Sequence, residues 1–202
     1  MGRRSDHSRA ELEELILSTG VDLVAETGLA GFSAREVARR IGYSIGTIHN
    51  VFGTADRLIA AINTRSFGLW ADLLRERLDA AGEGDRIAVL VEGYFAFACD
   101  HSNLWTAIYD HRLPVEVGLT DGEQAARGAL TEIVTTEVAR ALQRPVDDEI
   151  IALTRSLIAT VHGHCAFAVS GAWALMGEAA PEVAALARVR EALMARDRTV
   201  AG

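Results

Sequence analysis

Thr47, His49 and Asn50 fall within one short stretch, Ser44-Ile-Gly-Thr-Ile-His-Asn-Val-Phe52, whose other members are mostly apolar. Their chemistry is that of a hydrogen-bonding surface. Thr47 offers a hydroxyl to a phosphate or a base, Asn50 suits the paired N6 and N7 groups of adenine, and Ile45 suits a thymine methyl. Such groups read a duplex only when a rigid helix holds them out together. Neither a Walker loop nor Gly-x-Gly-x-x-Gly occurs in the chain, and no enzymatic chemistry is expected from it.

Two short helices broken at Gly42-Tyr43 would position these groups. Ser33 stands where an N-cap belongs and Glu36 three residues on completes a capping-box spacing, while Val37, Ala38 and Ile41 share one face. Gly42 supplies the permissive backbone of a helix end, Ser44 caps the next helix, and Ile48, Val51 and Phe52 give that helix a buried side. This is a helix-turn-helix. Its first helix would brace across phosphates and its second would enter the major groove with Ile45, Gly46, Thr47, His49 and Asn50.

The order Gly31, Ser33, Val37-Ala38, Gly42-Tyr43-Ser44, Gly46-Thr47-Ile48, Phe52 and Leu58 resembles the N-terminal DNA-binding domain of TetR-type (TetR/AcrR) transcriptional repressors. The likeness covers roughly residues 8 to 60. It implies an all-α protein, with a three-helix helix-turn-helix DNA-binding domain over residues 1–53 and a helical ligand-binding and dimerisation domain over 54–202. It further implies a homodimer that represses from a palindromic operator in double-stranded DNA and is released by a small, largely apolar ligand. A metal-responsive or ligand-independent DNA-binding regulator is the alternative. The DNA-contacting set it implies is Ser33, Arg35, Ser44, Ile45, Gly46, Thr47, His49, Asn50 and Val51, with Arg3 and Arg4 reaching in from the N-terminal arm. Two positions depart from the family pattern. His49 stands where tyrosine is usual and Ala55 where a phosphate-binding lysine is usual, so one backbone contact is expected to be missing.

Composition is compatible with this. The 202 residues are 50% hydrophobic and 24% charged, enough for a proper core. The net charge of -8 opposes DNA binding as a sum, but its distribution matters more. Residues 1–52 hold 6 arginines against 7 acids, the remainder 14 against 21. Arg35, Arg39 and Arg40 face only Glu36 within the motif, which predicts a locally positive surface. Cys99 and Cys165 are too few for a disulfide framework, and the N-terminus carries no apolar leader, so a cytoplasmic protein is expected. Ser156 to Met176 lacks Asp, Glu and Arg and is long enough to cross a bilayer. Its His162, Gly163, His164 and Gly171 favour a buried packing helix over a membrane span.

Downstream, spacing predicts a first helix capped by Ser8 and Glu11 and ending at Thr27-Gly28, a long connector from Thr54 to Leu78, and helices over 85–100, 103–110, 124–144 and 150–170 before a final amphipathic one. The aromatic group Tyr94, Phe95, Phe97, Trp105 and Tyr109 sits on two successive helices. A cavity walled by such residues is a small-molecule site; the expected lining is Tyr94, Phe97, Trp105, Ile108, Tyr109, His162 and Cys165, pressing on the connector. His162-Gly-His164-Cys165 invites a metal; helical residues two apart point about 200° from each other, so 162 and 164 do not easily share an ion whereas 162 and 165 could, and neither a metal nor another cofactor is expected. His162-Gly163 also resembles the His-Gly step of the WHG-type TetR subgroup.

Overall fold

The computed structural model describes residues 7–177 and 179–200. In order come α1 (Arg9–Thr27), a 3-10 turn (Leu29–Gly31), α2 (Ala34–Arg40), α3 (Ile45–Phe52), α4 (Ala55–Ala81), α5 (Arg86–Asp100), α6 (Ser102–Asp110), α7 (Asp121–Ala141), α8 (Asp148–Val169), the short α9 (Ala172–Leu175) and α10 (Pro181–Val200). There is no strand among the described residues, so the chain is all-α. Packing divides it into two compact units, residues 1–67 with 101–126 and residues 68–100 with 127–202.

In the first unit, the capping box expected at the start of α1 is present, Glu11 N–H donating to Ser8 Oγ at 3.3 Å and Ser8 N–H to Glu11 Oε2 at 2.7 Å. Gly28, at φ 69°, ends the helix. The core unites Leu12, Ile16, Leu23 and Val24 of α1, Val37 and Ala38 of α2, Ile48 of α3, Leu58 and Ile62 of α4, and Leu104 and Ala107 of α6. Each fully buried aliphatic side chain contributes about 1.5–3 kcal/mol. Gly20 permits a close crossing of α1 and α4, since a Cβ there would lie 2.7 Å from Ile62 Cδ1. Two amides fix α6: Asn63 Nδ2 donates to the Ala107 carbonyl at 3.0 Å, and Asn103 Nδ2 to the Ala25 carbonyl at 2.8 Å. Packing thus places 101–126 with the N-terminal helices, across the division at residue 53 expected from linear order.

The second unit is built from the rest of α4, α7 from residue 127 on, and α5, α8, α9 and α10. Trp70, fully buried, stacks on Phe97 with ring centroids 4.9 Å apart and meets Tyr94 edge-on at 4.5 Å. Asp147 caps α8 by accepting from Ile150 N–H at 2.8 Å. The charge-free run through Met176 is not one helix. α8 ends at Val169, Gly171 turns at φ 75°, and α9 follows. α8 has the length and a mean hydropathy of 1.2 that would serve a membrane span, yet its Ile150, Thr154, Leu157, Val161 and Cys165 are buried within a helix bundle shared with α5 and α10.

Candidate nucleic-acid interface and apolar cavity

The turn between α2 and α3 is built as its residues dictate. Gly42 adopts φ 73°, where a Cβ would be strained, and Tyr43 N–H reaches back to the Ala38 carbonyl at 2.9 Å. Ser44 caps α3, accepting from Thr47 N–H at 3.3 Å. Gly42, Ser44 and Gly46 also have the Gly-x-Ser-x-Gly spacing of a nucleophile elbow, which sequence reasoning passed over. That motif needs a strand before its turn. Here helices flank it, and Ser44 Oγ is engaged with the backbone and hydroxyl of Thr47.

Ile48 is 1% exposed and anchors α3, while Gly46, His49 and Asn50 face solvent. Ile45 and Val51 are half-buried and pack partly on the core, so they sit at the rim of the exposed face. His49 Nδ1 lies 3.0 Å from the Gly53 carbonyl. A carbonyl only accepts, so Nδ1 carries the proton and Nε2 is left as an acceptor when the ring is neutral. Tyr43 Oη meets His7 Nδ1 at 2.9 Å, tying the start of α1 to the turn. Arg3 and Arg4 lie outside the described residues.

At the start of α2 the expected capping box is absent. Ser33 occupies the N-cap position with no side-chain cap bond, and the reciprocal half of the box is lost because Glu36 turns to the arginines. Its carboxylate accepts from Arg39 Nη2 at 2.6 Å and Nε at 2.7 Å, and from Arg40 Nε at 3.2 Å. Two charge-assisted partners outcompete one backbone N–H. Arg39, then Arg40, hold the Glu36 carboxyl down at about 2. Glu26 of α1 also takes Arg40, at 2.7 and 3.0 Å. The surface is therefore less positive than the motif's own residues predict, and Arg35 is the arginine of α2 that is exposed without an ion pair among the described residues. Arg57, beside the lysine-substituting Ala55, is also occupied, donating to the Gly118 carbonyl at 3.0 Å and to Glu123 at 2.9 Å.

The second unit holds a partly open apolar cavity of about 40 Å³. Its walls are Ile87, Leu90, Val91 and Tyr94 of α5, Val134 and Val138 of α7, Leu157, Ile158 and Val161 of α8, and Val189 of α10. Tyr94, among the expected lining, is there, and its hydroxyl lies 2.9 Å from Nδ1 of His162. Burial holds His162 below the ordinary histidine range. Phe97 and Cys165 are buried but do not line this space, and burial pushes the Cys165 thiol up to about 12. Trp105, Ile108 and Tyr109, also among the expected lining, belong to the first unit, where Trp105 and Tyr109 meet at 5.3 Å. Asn63 and Asn103 anchor α6 within that unit. These aliphatic wall residues were not among the expected lining, although their signal is the helical repeat at 87, 90, 91 and 94 and at 134 and 138. Trp70, behind Tyr94, carried no such signal.

His164 Nδ1 donates to the Thr160 carbonyl at 2.9 Å. Among the described residues no three His, Cys, Asp or Glu side chains are grouped so as to hold a metal ion.

Comparison with known proteins follows this division of labour. Residues 16–62 match the family model of bacterial regulatory proteins, tetR family, and residues 87–192, over half of the chain, match that of the tetracyclin repressor-like C-terminal domain. No curated protein matches the sequence. Among solved structures, the fold is shared with a Rhodococcus sp. RHA1 protein of unknown function at 21% identity and TM-score 0.72, covering 96% of this chain and 98% of that one. It is shared with a tetR-family transcriptional regulator from Streptomyces coelicolor at 18% identity and TM-score 0.65, over 99% and 85% of the two chains. The multidrug binding protein EbrR complexed with proflavin aligns at 18% identity and TM-score 0.64, over 90% and 99%.

Proposed function

Because the chain belongs to the tetR family of bacterial regulatory proteins, we propose that this transcriptional regulator is a cytoplasmic homodimeric repressor, released from a near-palindromic operator when a small apolar ligand enters the second unit. The observation that carries the reading is the face of α3, where exposed His49 and Asn50 and half-buried Thr47 surround a helix anchored by the buried Ile48. Arg35 adds a free guanidinium from α2, and Ser33 adds a hydroxyl not spent on a cap. Dimerisation through α8 and α10 is supported by apolar side chains that the protomer leaves uncovered, Phe167 at 45%, Val183 at 67% and Met194 at 59% exposure. A symmetric pair of such helices would form a four-helix bundle. That the multidrug binding protein EbrR is complexed with proflavin supports a ligand-responsive regulator.

Selection of bound duplexes from a random pool, with sedimentation of the protein alone, tests this. A two-fold symmetric site with half-sites about one helical turn or more apart, bound by a dimer, is the expected result. A purely monomeric protein, or enrichment of no sequence, would remove the proposal.

A further inference from the structure

We propose that His49 selects one base of the operator by accepting a hydrogen bond, at Nε2, from the exocyclic amino group of a cytosine or an adenine in the major groove. The proposal rests on the reading of α3 as the helix that enters that groove. What it adds is the direction of the hydrogen bond, which favours two bases over the other two.

A single residue pins the ring. Gly53 N–H donates to the His49 carbonyl at 2.9 Å, and His49 Nδ1 lies 3.0 Å from the Gly53 carbonyl, so the two residues are joined twice. Gly53 holds φ 78° and ψ -62°, a backbone that glycine adopts at no steric cost, and this turn brings its carbonyl to the imidazole. The carbonyl takes the Nδ1 proton, and a neutral ring has no second one. Nε2 diverges from Nδ1 across the ring, so its lone pair is directed away from the helix end.

Place on the helix gives that lone pair its task. Gly46, His49 and Asn50 are the exposed residues of α3, spaced i, i+3 and i+4 along one face and turned from the buried Ile48. A glycine inside a helix is a net cost relative to alanine. Here neither backbone nor packing asks for it: Gly46 is not among the glycines of positive φ, and a Cβ there would meet only the Ser44 hydroxyl among the described residues, at an ordinary 3.5 Å. The space it leaves lies on the outer face, where a base edge can approach beside the ring.

The base edges then divide into two classes. In the major groove cytosine shows the N4 amino group and adenine the N6 amino group, whereas guanine shows N7 and O6 and thymine shows O4 and its methyl. Nε2 meets a donor on the first two. On the others two acceptors would face each other without a proton between them, after both had given up water. Asn50 alongside both donates and accepts, so it does not impose this exclusion, and the polarity rests with His49.

The test is selection of duplexes from a random pool at pH 8.0, with the full-length protein and with His49→Ala, followed by titrations on the selected site. One position of each half-site should be cytosine or adenine for the parent and should lose its preference in His49→Ala, the other positions being kept. Guanine or thymine in that place should weaken the parent about fivefold or more. N4-methylcytosine or N6-methyladenine there should do the same, because the methyl replaces the groove-facing hydrogen; the two modified duplexes tell cytosine from adenine and probe the contact without altering the protein. His49→Ala should bind plain and methylated duplexes alike. Gly53→Ala, which keeps the imidazole but strains the turn that holds it, should relax the same position and no other, with a cooperative unfolding transition retained. Guanine or thymine at the position that depends on His49, indifference of the parent to the methyl, or a His49→Ala profile identical to the parent's would overturn the proposal and leave α3 as the reading helix. Enrichment of no sequence by the parent would defeat both.

Discussion

Arg86 and Glu137 form a bidentate pair, Nε to Oε2 at 2.6 Å and Nη2 to Oε1 at 2.7 Å, and Nη1 of the same guanidinium donates to the carbonyls of Leu78 and Gly82 at 2.9 and 2.8 Å. One side chain thereby ties α5 to α7 and closes the end of α4. Glu137 is only 7% exposed, so Arg86→Met would strand a buried carboxylate at a cost of about 3–5 kcal/mol. The double variant Arg86→Met/Glu137→Leu should recover most of that loss. Equal destabilisation of single and double variants in urea unfolding would show that the carbonyl contacts, and not the stranded charge, dominate.

The two serines that open α2 and α3 should behave differently. Ser44 caps its helix and Ser33 does not. Ser44→Ala is expected to cost about 1 kcal/mol of stability, whereas Ser33→Ala should change the thermal midpoint little. A loss of operator affinity in Ser33→Ala at unchanged stability would then report a DNA contact.

Asn50→Ala and Arg35→Ala should each weaken the specific site by about 1–3 kcal/mol where a bidentate base contact is lost. Parallel titrations on random duplex should show a smaller effect. Equal losses on both would make these side chains backbone anchors.

Glu36 restrains two arginines beside the same surface. Glu36→Gln should release Arg39, while Arg40 keeps its pair with Glu26, and raise affinity for random DNA. The slope of log affinity against log salt should steepen by about 0.9 for each phosphate newly contacted. An unchanged slope would mean that Arg39 does not reach the duplex.

His162 makes stability depend on pH in a stated direction. Burial lowers its folded-state pKa, so between that value and the unfolded pKa of about 6.5 the unfolded chain binds more protons. Stability is then full above the unfolded pKa and declines as pH falls below it. His162→Gln should flatten the difference in unfolding free energy between pH 7.5 and pH 5.5.

Local chemistry was readable from the sequence where it closes within a few residues. The caps of α1 and α3, the glycine at position 42 and the buried side of α3 all stand as their spacing requires. Ser33 shows the limit, because Glu36 had arginine partners whose geometry only the folded helix reveals. Glu26 taking Arg40, and α6 joining the first unit, depend on contacts between distant segments. An apolar helix reads alike whether it walls a cavity or fills a core, so Leu157, Ile158 and Val161 gave no warning of their place.

The placement of α6 also orders events during synthesis. The first unit's core takes Leu104 and Ala107 from α6, and its compact whole extends to residue 126. Residues 8–52 therefore leave the ribosome with part of their apolar surface still uncovered. At about 5–20 residues per second, the stretch from there to residue 126 takes roughly 4–15 s. During that interval the helix-turn-helix exists without its closing helix, a window in which a chaperone has something to hold and in which a stalled nascent chain would expose a reading head that is not yet complete.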